Sequence, residues 1–168
     1  GSFFAWTADV VVRLVCASMS GLRFPAVIVL VGVEVIDLYF AVKGFSGPKV
    51  LPYAEKKGIT LVLEHLNSRD DSHPMKGHPG YFGDDVDFCI ELIDQIGSEN
   101  FKLLFDIYHV SVMNGDIIRR INQYHDRIAH YHTAGNPGRG EIDDSQEIQY
   151  KPILEAILET GYDGYIAH

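Results

Sequence analysis

Residues 101–106 read Phe-Lys-Leu-Leu-Phe-Asp (FKLLFD), a short apolar run that ends in an acid. The segment before it, residues 86–96, carries apolar side chains at i, i+3 and i+4 spacing, which predicts an amphipathic helix. Gly97 stands where a glycine commonly ends a helix. Residues 86–106 therefore predict a helix followed by a buried strand, the unit from which parallel α/β sheets are built.

The same unit recurs along the chain from Lys49 onward. The other predicted strands are residues 59–64 (ITLVLE), 128–133 (IAHYHT) and 163–168 (DGYIAH), each preceded by a helix-like segment. Nearer the N-terminus the repeat loses its clarity. There, residues 26–30 (AVIVL) are a candidate further strand, and residues 34–45 are a candidate helix that is rich in β-branched and aromatic residues. The repeated pattern predicts an α/β fold with a parallel sheet.

Composition and charge narrow the functional class. The chain has 168 residues, 46% of them hydrophobic, and a formal net charge of −9, which is typical of one soluble globular domain. The negative charge argues against nucleic acid or anionic lipid as a partner and favours a small molecule. No apolar run is long enough for a membrane span, and the two cysteines, Cys16 and Cys89, favour a reducing compartment such as the cytoplasm.

Three predicted strands end in a residue that could bind a metal or move a proton: Glu64, Asp106 and His132. Because active sites of parallel α/β proteins gather at the carboxyl ends of strands, these side chains are expected to converge. Two carboxylates and an imidazole suit Mn²⁺ or Mg²⁺ best, with Co²⁺ or Zn²⁺ as alternatives. The alternative for each residue alone is structural, as a helix cap or a hydrogen-bonded core histidine. Their recurrence at equivalent positions favours the metal site.

Two nearby residues are candidates for substrate contact. His109 follows Asp106 by three residues and could donate to a substrate oxygen, although a surface histidine that opens the next helix is the alternative. Arg139, on a turn-prone loop, has the planar fork that matches a carboxylate or two sugar oxygens, and a salt bridge to Glu141 is its alternative. The histidines of the long loop at residues 65–84 do not have the spacing of ligands in a structural zinc site, and they are interpreted as loop residues.

Four runs together resemble a known family. They are LVLEHLNS (61–68), NFKLLFDIYH (100–109), IAHYHTAGNPGRGEID (128–143) and ETGYDGYIAH (159–168). In this order and spacing they are similar to the hydroxypyruvate isomerase group of the xylose isomerase-like barrels, which are related to the tagatose and psicose 3-epimerases. The resemblance covers about residues 49–168.

This resemblance implies an eight-stranded (β/α) TIM barrel that holds a divalent metal through Glu, Asp, His or Gln, and a second Glu. Carried over to this chain, Glu64 is a metal ligand and catalytic carboxylate, and Asp106 and His132 are the next two ligands. His109, Arg139 and Asn67 fall among the expected substrate-binding residues. The implied reaction is an aldose–ketose isomerisation through an enediolate, of the type that converts hydroxypyruvate to tartronate semialdehyde; the implied partner is a sugar or hydroxy-keto acid.

A complete barrel of this type needs about 250 residues. The chain is therefore expected to hold the C-terminal half to five-eighths of a barrel as one partial domain, with residues 1–48 matching the family poorly. The family pattern would continue beyond His168 into the second glutamate, so whether this chain alone is an enzyme is left open. Self-association is expected to cover the open edges of the sheet.

Three alternatives to this isomerase remain at the level of sequence. One is a ketose 3-epimerase, which would use the same metal site and catalytic carboxylates. Another is a noncatalytic half-barrel that serves in binding or assembly. The third, an abasic-site endonuclease, would need further His and Asp ligands and a basic groove, and the acidic net charge argues against it.

Overall fold

The computed structural model describes residues 27–30, 50–81 and 83–168, and of residues 27–30 and 50 only the backbone. Five parallel strands form one sheet in which neighbours follow chain order. They are β1 (Val27–Leu30), β2 (Thr60–Glu64), β3 (Phe101–Asp106), β4 (Ile128–His132) and β5 (Ile166–Ala167). The predicted parallel α/β architecture is confirmed.

Helices connect the strands, as parallel pairing requires. They are α1 (Val50–Lys57), α2 (Val86–Ile96), α3 (Ile107–Met113), α4 (Ile117–Tyr124), which a 3₁₀ turn at His125–Arg127 follows, and α5 (Tyr150–Glu159). Helix α2 has the predicted bounds. At its start the Asp85 side chain accepts a hydrogen bond from the Phe88 N–H, and at its end Gly97 takes a left-handed conformation with φ 66°.

Both faces of the central strands are buried. On one face, Leu103 and Phe105 of β3 pack with the apolar sides of α2 and α5 in the main hydrophobic core. On the other face, Val62 and Leu104 are completely buried against each other and against Ala129. Sheets covered on both faces are typical of parallel α/β folds, which explains why these strands read as continuous apolar runs.

The predicted elements agree with the structure at most points. The strand at residues 101–106 has the predicted bounds, those at 59–64, 128–133 and 26–30 differ by one residue, and that at 163–168 is only two residues long. The helix suggested at residues 34–45 lies outside the described residues. Helix α3 was not predicted, because Asp106 both ends β3 and caps α3, so that no turn residues separate the two elements.

The edges of the described sheet are β1 and β5. Self-association across such an edge stays a prediction. Within residues 27–30, 50–81 and 83–168, no helix is both long enough and apolar enough to cross a membrane.

Candidate active site

The three predicted metal ligands meet at one edge of the sheet. Asp106 and His132 are register partners at the ends of β3 and β4, and Glu64 ends the neighbouring strand β2. His132 Nδ1 lies 3.3 Å from Glu64 Oε1 and 3.7 Å from Asp106 Oδ2. We call Glu64, Asp106 and His132 the carboxylate–histidine cluster. Its three side chains supply the oxygen and nitrogen donors that a divalent cation requires.

The electrostatics of the cluster follow from burial and close charges. Burial lowers the pKa of His132, but its bonds to Asp106 and Glu64 outweigh burial and raise this pKa to about 9. Burial alone would raise the pKa of the Asp106 carboxyl, yet His132, His109 and Arg139 together hold it below its usual value. Without a metal, an imidazolium therefore balances the two carboxylates; a bound cation would take the place of its proton.

His109 lies on α3 directly beside the cluster. It is completely buried, so the alternative of a surface histidine is wrong. Its Nδ1 accepts a hydrogen bond of 3.1 Å from the Asn67 backbone N–H. Burial lowers the pKa of His109 to about 4, so the ring is neutral at pH 7 and carries its proton on Nε2. Nε2 lies 3.9 Å from Asp106 Oδ2 and has no hydrogen-bond partner among the described residues.

Two histidines are close enough to be the third metal ligand. Glu64, Asp106 and His109 also offer donor atoms that all lie within 4.8 Å of one another. A metal ligand needs a free lone pair on the nitrogen that faces the metal, whereas His109 presents Nε2–H to the cluster because Nδ1 is occupied by a donor. His132 is therefore the better ligand, and His109 is the better hydrogen-bond donor to a substrate oxygen.

Asn67 lies behind His109 and is completely buried. Its Nδ2 lies 2.7 Å from His109 Nδ1 and donates to the Lys76 carbonyl at 2.7 Å, while Oδ1 accepts from the Asp70 N–H at 3.0 Å. A Cβ atom at residue 77 would come within 2.5 Å of Asn67 Oδ1, so Gly77 permits this packing. Asn67 thus orients His109 and anchors the loop, and its direct contact with a substrate stays a prediction.

A cleft of about 520 Å³ opens beside the cluster. His132 and Arg139 line it together with His73 and Lys76, which belong to the loop at residues 65–84. Arg139 Nη1 donates to the Met75 carbonyl at 2.7 Å, and Nη2 lies 3.7 Å from Asp106 Oδ2. The predicted alternative for Arg139, a salt bridge to Glu141, is therefore not the arrangement seen. The volume suits a small polar molecule.

Lys76 also lines the cleft but was not among the predicted residues. This residue sits in an irregular loop, where no periodicity or motif marks it, and only the folded chain brings it to the cleft.

The loop histidines, His65, His73 and His78, lie outside helices and strands, as predicted. His65 is completely buried and bonds the Asp84 carbonyl through Nε2 at 3.0 Å, which is a structural arrangement.

The raised pKa of His132 predicts a pH-dependent stability for the metal-free chain. The pKa rises from 6.5 in an unperturbed histidine to about 9, so the folded chain holds this proton more tightly than the unfolded chain. The stabilisation is therefore complete below about pH 6.5 and is lost as the pH rises towards 9. The melting temperature is expected to fall across this window, and less so in His132→Gln. A variant of the exposed His125, His125→Gln, is the control; equal pH dependence in all three proteins would contradict the assignment.

Sequence comparisons identify relatives of this chain. A family profile described as "Xylose isomerase-like TIM barrel" matches residues 48–168. The 2-oxo-tetronate isomerase of Cupriavidus necator is 33% identical over 113 residues, which cover 67% of this chain and 40% of that protein. The hydroxypyruvate isomerase of Escherichia coli is 32% identical over 111 residues, covering 66% and 40%. The chain thus spans about two fifths of the length of these relatives.

Solved structures of other proteins also superpose on this chain. The AP endonuclease of family 2 from Brucella melitensis superposes with a TM-score of 0.62 and 26% identity, covering 79% of this chain and 45% of that one. The IOLI protein with a bound zinc atom gives a TM-score of 0.56 and 18% identity, covering 84% and 51%. The second likeness shows a shared fold alone. Each match spans about half of the solved chain, as expected for a partial barrel.

Proposed function

Because this chain belongs to the xylose isomerase-like TIM barrel family, we propose that it carries the metal-binding, substrate-facing part of an isomerase acting on a small hydroxy-keto acid, with hydroxypyruvate as the first candidate. The observation that carries the proposal is the convergence of Glu64, Asp106 and His132 beside the unpartnered Nε2–H of His109. The two curated relatives, which are named as isomerases of such acids, support the choice of substrate class.

The donor set fits a divalent metal. Glu64, Asp106 and His132 would hold Mn²⁺ or Mg²⁺, with Co²⁺ and Zn²⁺ as alternatives. When bound, such an ion supplies Lewis-acid polarisation of the substrate oxygens. The raised pKa of His132 is consistent with this assignment, since the same two carboxylates that hold its proton would attract a cation.

The chain's own residues would carry the proton transfers. The Glu64 carboxylate takes a proton from the hydroxyl-bearing carbon, C3 of hydroxypyruvate, and the electron pair of that bond forms the C2–C3 double bond of an enediolate. His109 Nε2–H donates a hydrogen bond to the developing oxyanion at C2. The proton then returns to C2, and the proton of the C3 hydroxyl passes to the C2 oxygen, which leaves an aldehyde at C3 and a hydroxyl at C2 without a net gain or loss of atoms.

Exchange of the C3 hydrogen tests this function directly. We expect the Mg²⁺-loaded chain in D₂O to incorporate deuterium at C3 of hydroxypyruvate and to form tartronate semialdehyde, both followed by NMR. Glu64→Gln should lose both signals, whereas Glu91→Gln, which changes an exposed glutamate on α2, should keep them. Exchange no faster than with Mg²⁺ alone would contradict the proposal in favour of a noncatalytic half-barrel. Exchange only with a ketohexose would indicate an epimerase.

A further inference from the structure

Lys76 presents a cation to the cleft that neither the family resemblance nor the reaction above accounts for. It lines the cleft together with Arg139, and its Nζ lies 3.6 Å from the point that a Cβ on Gly138 would occupy. Gly138 has φ 87°, a left-handed conformation that glycine adopts without strain. This glycine, which precedes Arg139 in the chain, thus leaves room for the Lys76 ammonium.

The main chain of Lys76 is fixed by buried groups. Its carbonyl accepts hydrogen bonds from Asn67 Nδ2 at 2.7 Å and from the Tyr108 hydroxyl at 3.0 Å. Both donors belong to completely buried residues, and Asn67 also contacts His109. The Lys76 N–H donates to the His73 carbonyl at 2.9 Å, which closes a tight turn. The main chain of Lys76 is therefore held in position relative to His109, unlike that of a lysine on a loosely attached loop.

Two basic side chains line the cleft although the chain as a whole is acidic. The net charge is −9, yet Lys76 and Arg139 both line the cleft. Within the part of the chain that the structure describes, no carboxylate lies within 4.0 Å of the Lys76 ammonium. The acidic side chain that lines the same cleft, Glu141, lies 3.5 Å from His168 Nε2. An anionic group of a ligand would give this ammonium a partner.

We propose that Lys76 binds the carboxylate of the substrate and thereby selects a hydroxy-keto acid over a neutral ketose. This inference rests on the proposed function and names the residue that sets the substrate class. A hydrogen bond between an ammonium and a carboxylate is stronger than one between neutral groups. A substrate with a carboxylate therefore gains more binding free energy from Lys76 than a ketose that has a hydroxymethyl group at the same position. Arg139, whose Nη1 donates to the Met75 carbonyl, lines the same cleft and adds to the positive potential.

The test compares two ligands that differ at this one group, hydroxypyruvate and dihydroxyacetone, by calorimetry with the Mg²⁺-loaded chain. The unmodified chain should bind hydroxypyruvate more tightly. Lys76→Met should weaken hydroxypyruvate binding about tenfold or more and leave dihydroxyacetone binding within about twofold. Lys76→Arg should recover part of the loss because it restores the charge. Lys151→Met, which removes an exposed lysine on α5, is the matched control.

The outcomes separate this inference from the function on which it rests. A Lys76→Met variant that keeps the preference for the acid, or that loses both ligands equally, would overturn the role of Lys76 and leave the proposed isomerase standing. An unmodified chain without any preference for hydroxypyruvate would overturn the proposed substrate class, and the role of Lys76 with it. Selective loss of the acid, restored in part by arginine, supports both.

Discussion

Replacing Asp106 with asparagine is expected to abolish the proposed Mn²⁺ binding and isomerase activity while leaving the chain folded. Asparagine keeps the oxygen that caps α3 by accepting the His109 N–H, a bond of 3.0 Å, so the local structure should persist. It removes the negative charge that both a cation and protonated His132 require. Loss of a group that merely supports a metal ligand costs about ten- to hundredfold in affinity, so loss of a ligand should cost more than about hundredfold.

Calorimetric titration with Mn²⁺ measures this effect. The matched control is Asp85→Asn, because Asp85 also caps a helix, α2, and lies outside the carboxylate–histidine cluster. That variant should bind Mn²⁺ as the unmodified chain does. Binding by Asp106→Asn within about threefold of the unmodified chain would show that Asp106 only caps α3, which is the structural alternative.

Replacing His109 with asparagine is expected to separate chemistry from metal binding. The shorter side chain can still accept the Asn67 N–H, which lies 3.1 Å from Nδ1 in the structure, but it removes the Nε2–H donor. Loss of one donor to a developing oxyanion typically lowers kcat about 10²- to 10³-fold. Since we assign the third ligand to His132, Mn²⁺ affinity should change little in this variant.

A His132→Ala variant distinguishes the two histidines as candidates for the third ligand. It should lose Mn²⁺ binding together with the proposed activity, because it removes the Nδ1 atom that faces both carboxylates. Calorimetry and the hydroxypyruvate assay are applied to both variants. If His109→Asn loses the metal and His132→Ala retains it, the ligand set is Glu64, Asp106 and His109, and His109 does not present Nε2–H to the cluster.

Strand and helix positions in this chain were predictable where periodicity and end signals agree. Residues 86–106 are the best case, because an amphipathic repeat, a glycine just after its last apolar position and a following apolar run all indicate the same boundaries. The placement of Glu64, Asp106 and His132 followed from strand ends alone, since the parallel register brings such positions together. Their role as metal ligands stays a prediction.

The cleft was less predictable because its contacts join loops that are distant in sequence. Arg139 reaches the Met75 carbonyl across 64 residues, and Asn67 reaches His109 across 42. Hydrophobic patterning carries no information about such hydrogen bonds. Neither the anchored position of Lys76 nor the orientation of His109 could therefore be derived before the fold was known.

In the proposed function, Glu64, Asp106 and His132 form the metal centre. Anomalous diffraction from crystals of the chain soaked in Mn²⁺, recorded at the manganese absorption edge, would locate the ion. We expect one strong anomalous peak bonded to oxygens of Glu64 and Asp106 and to Nδ1 of His132, with His109 outside the coordination shell. A peak elsewhere, or no peak at saturating Mn²⁺ in crystals of the folded chain, would show that these three residues are not the metal ligands.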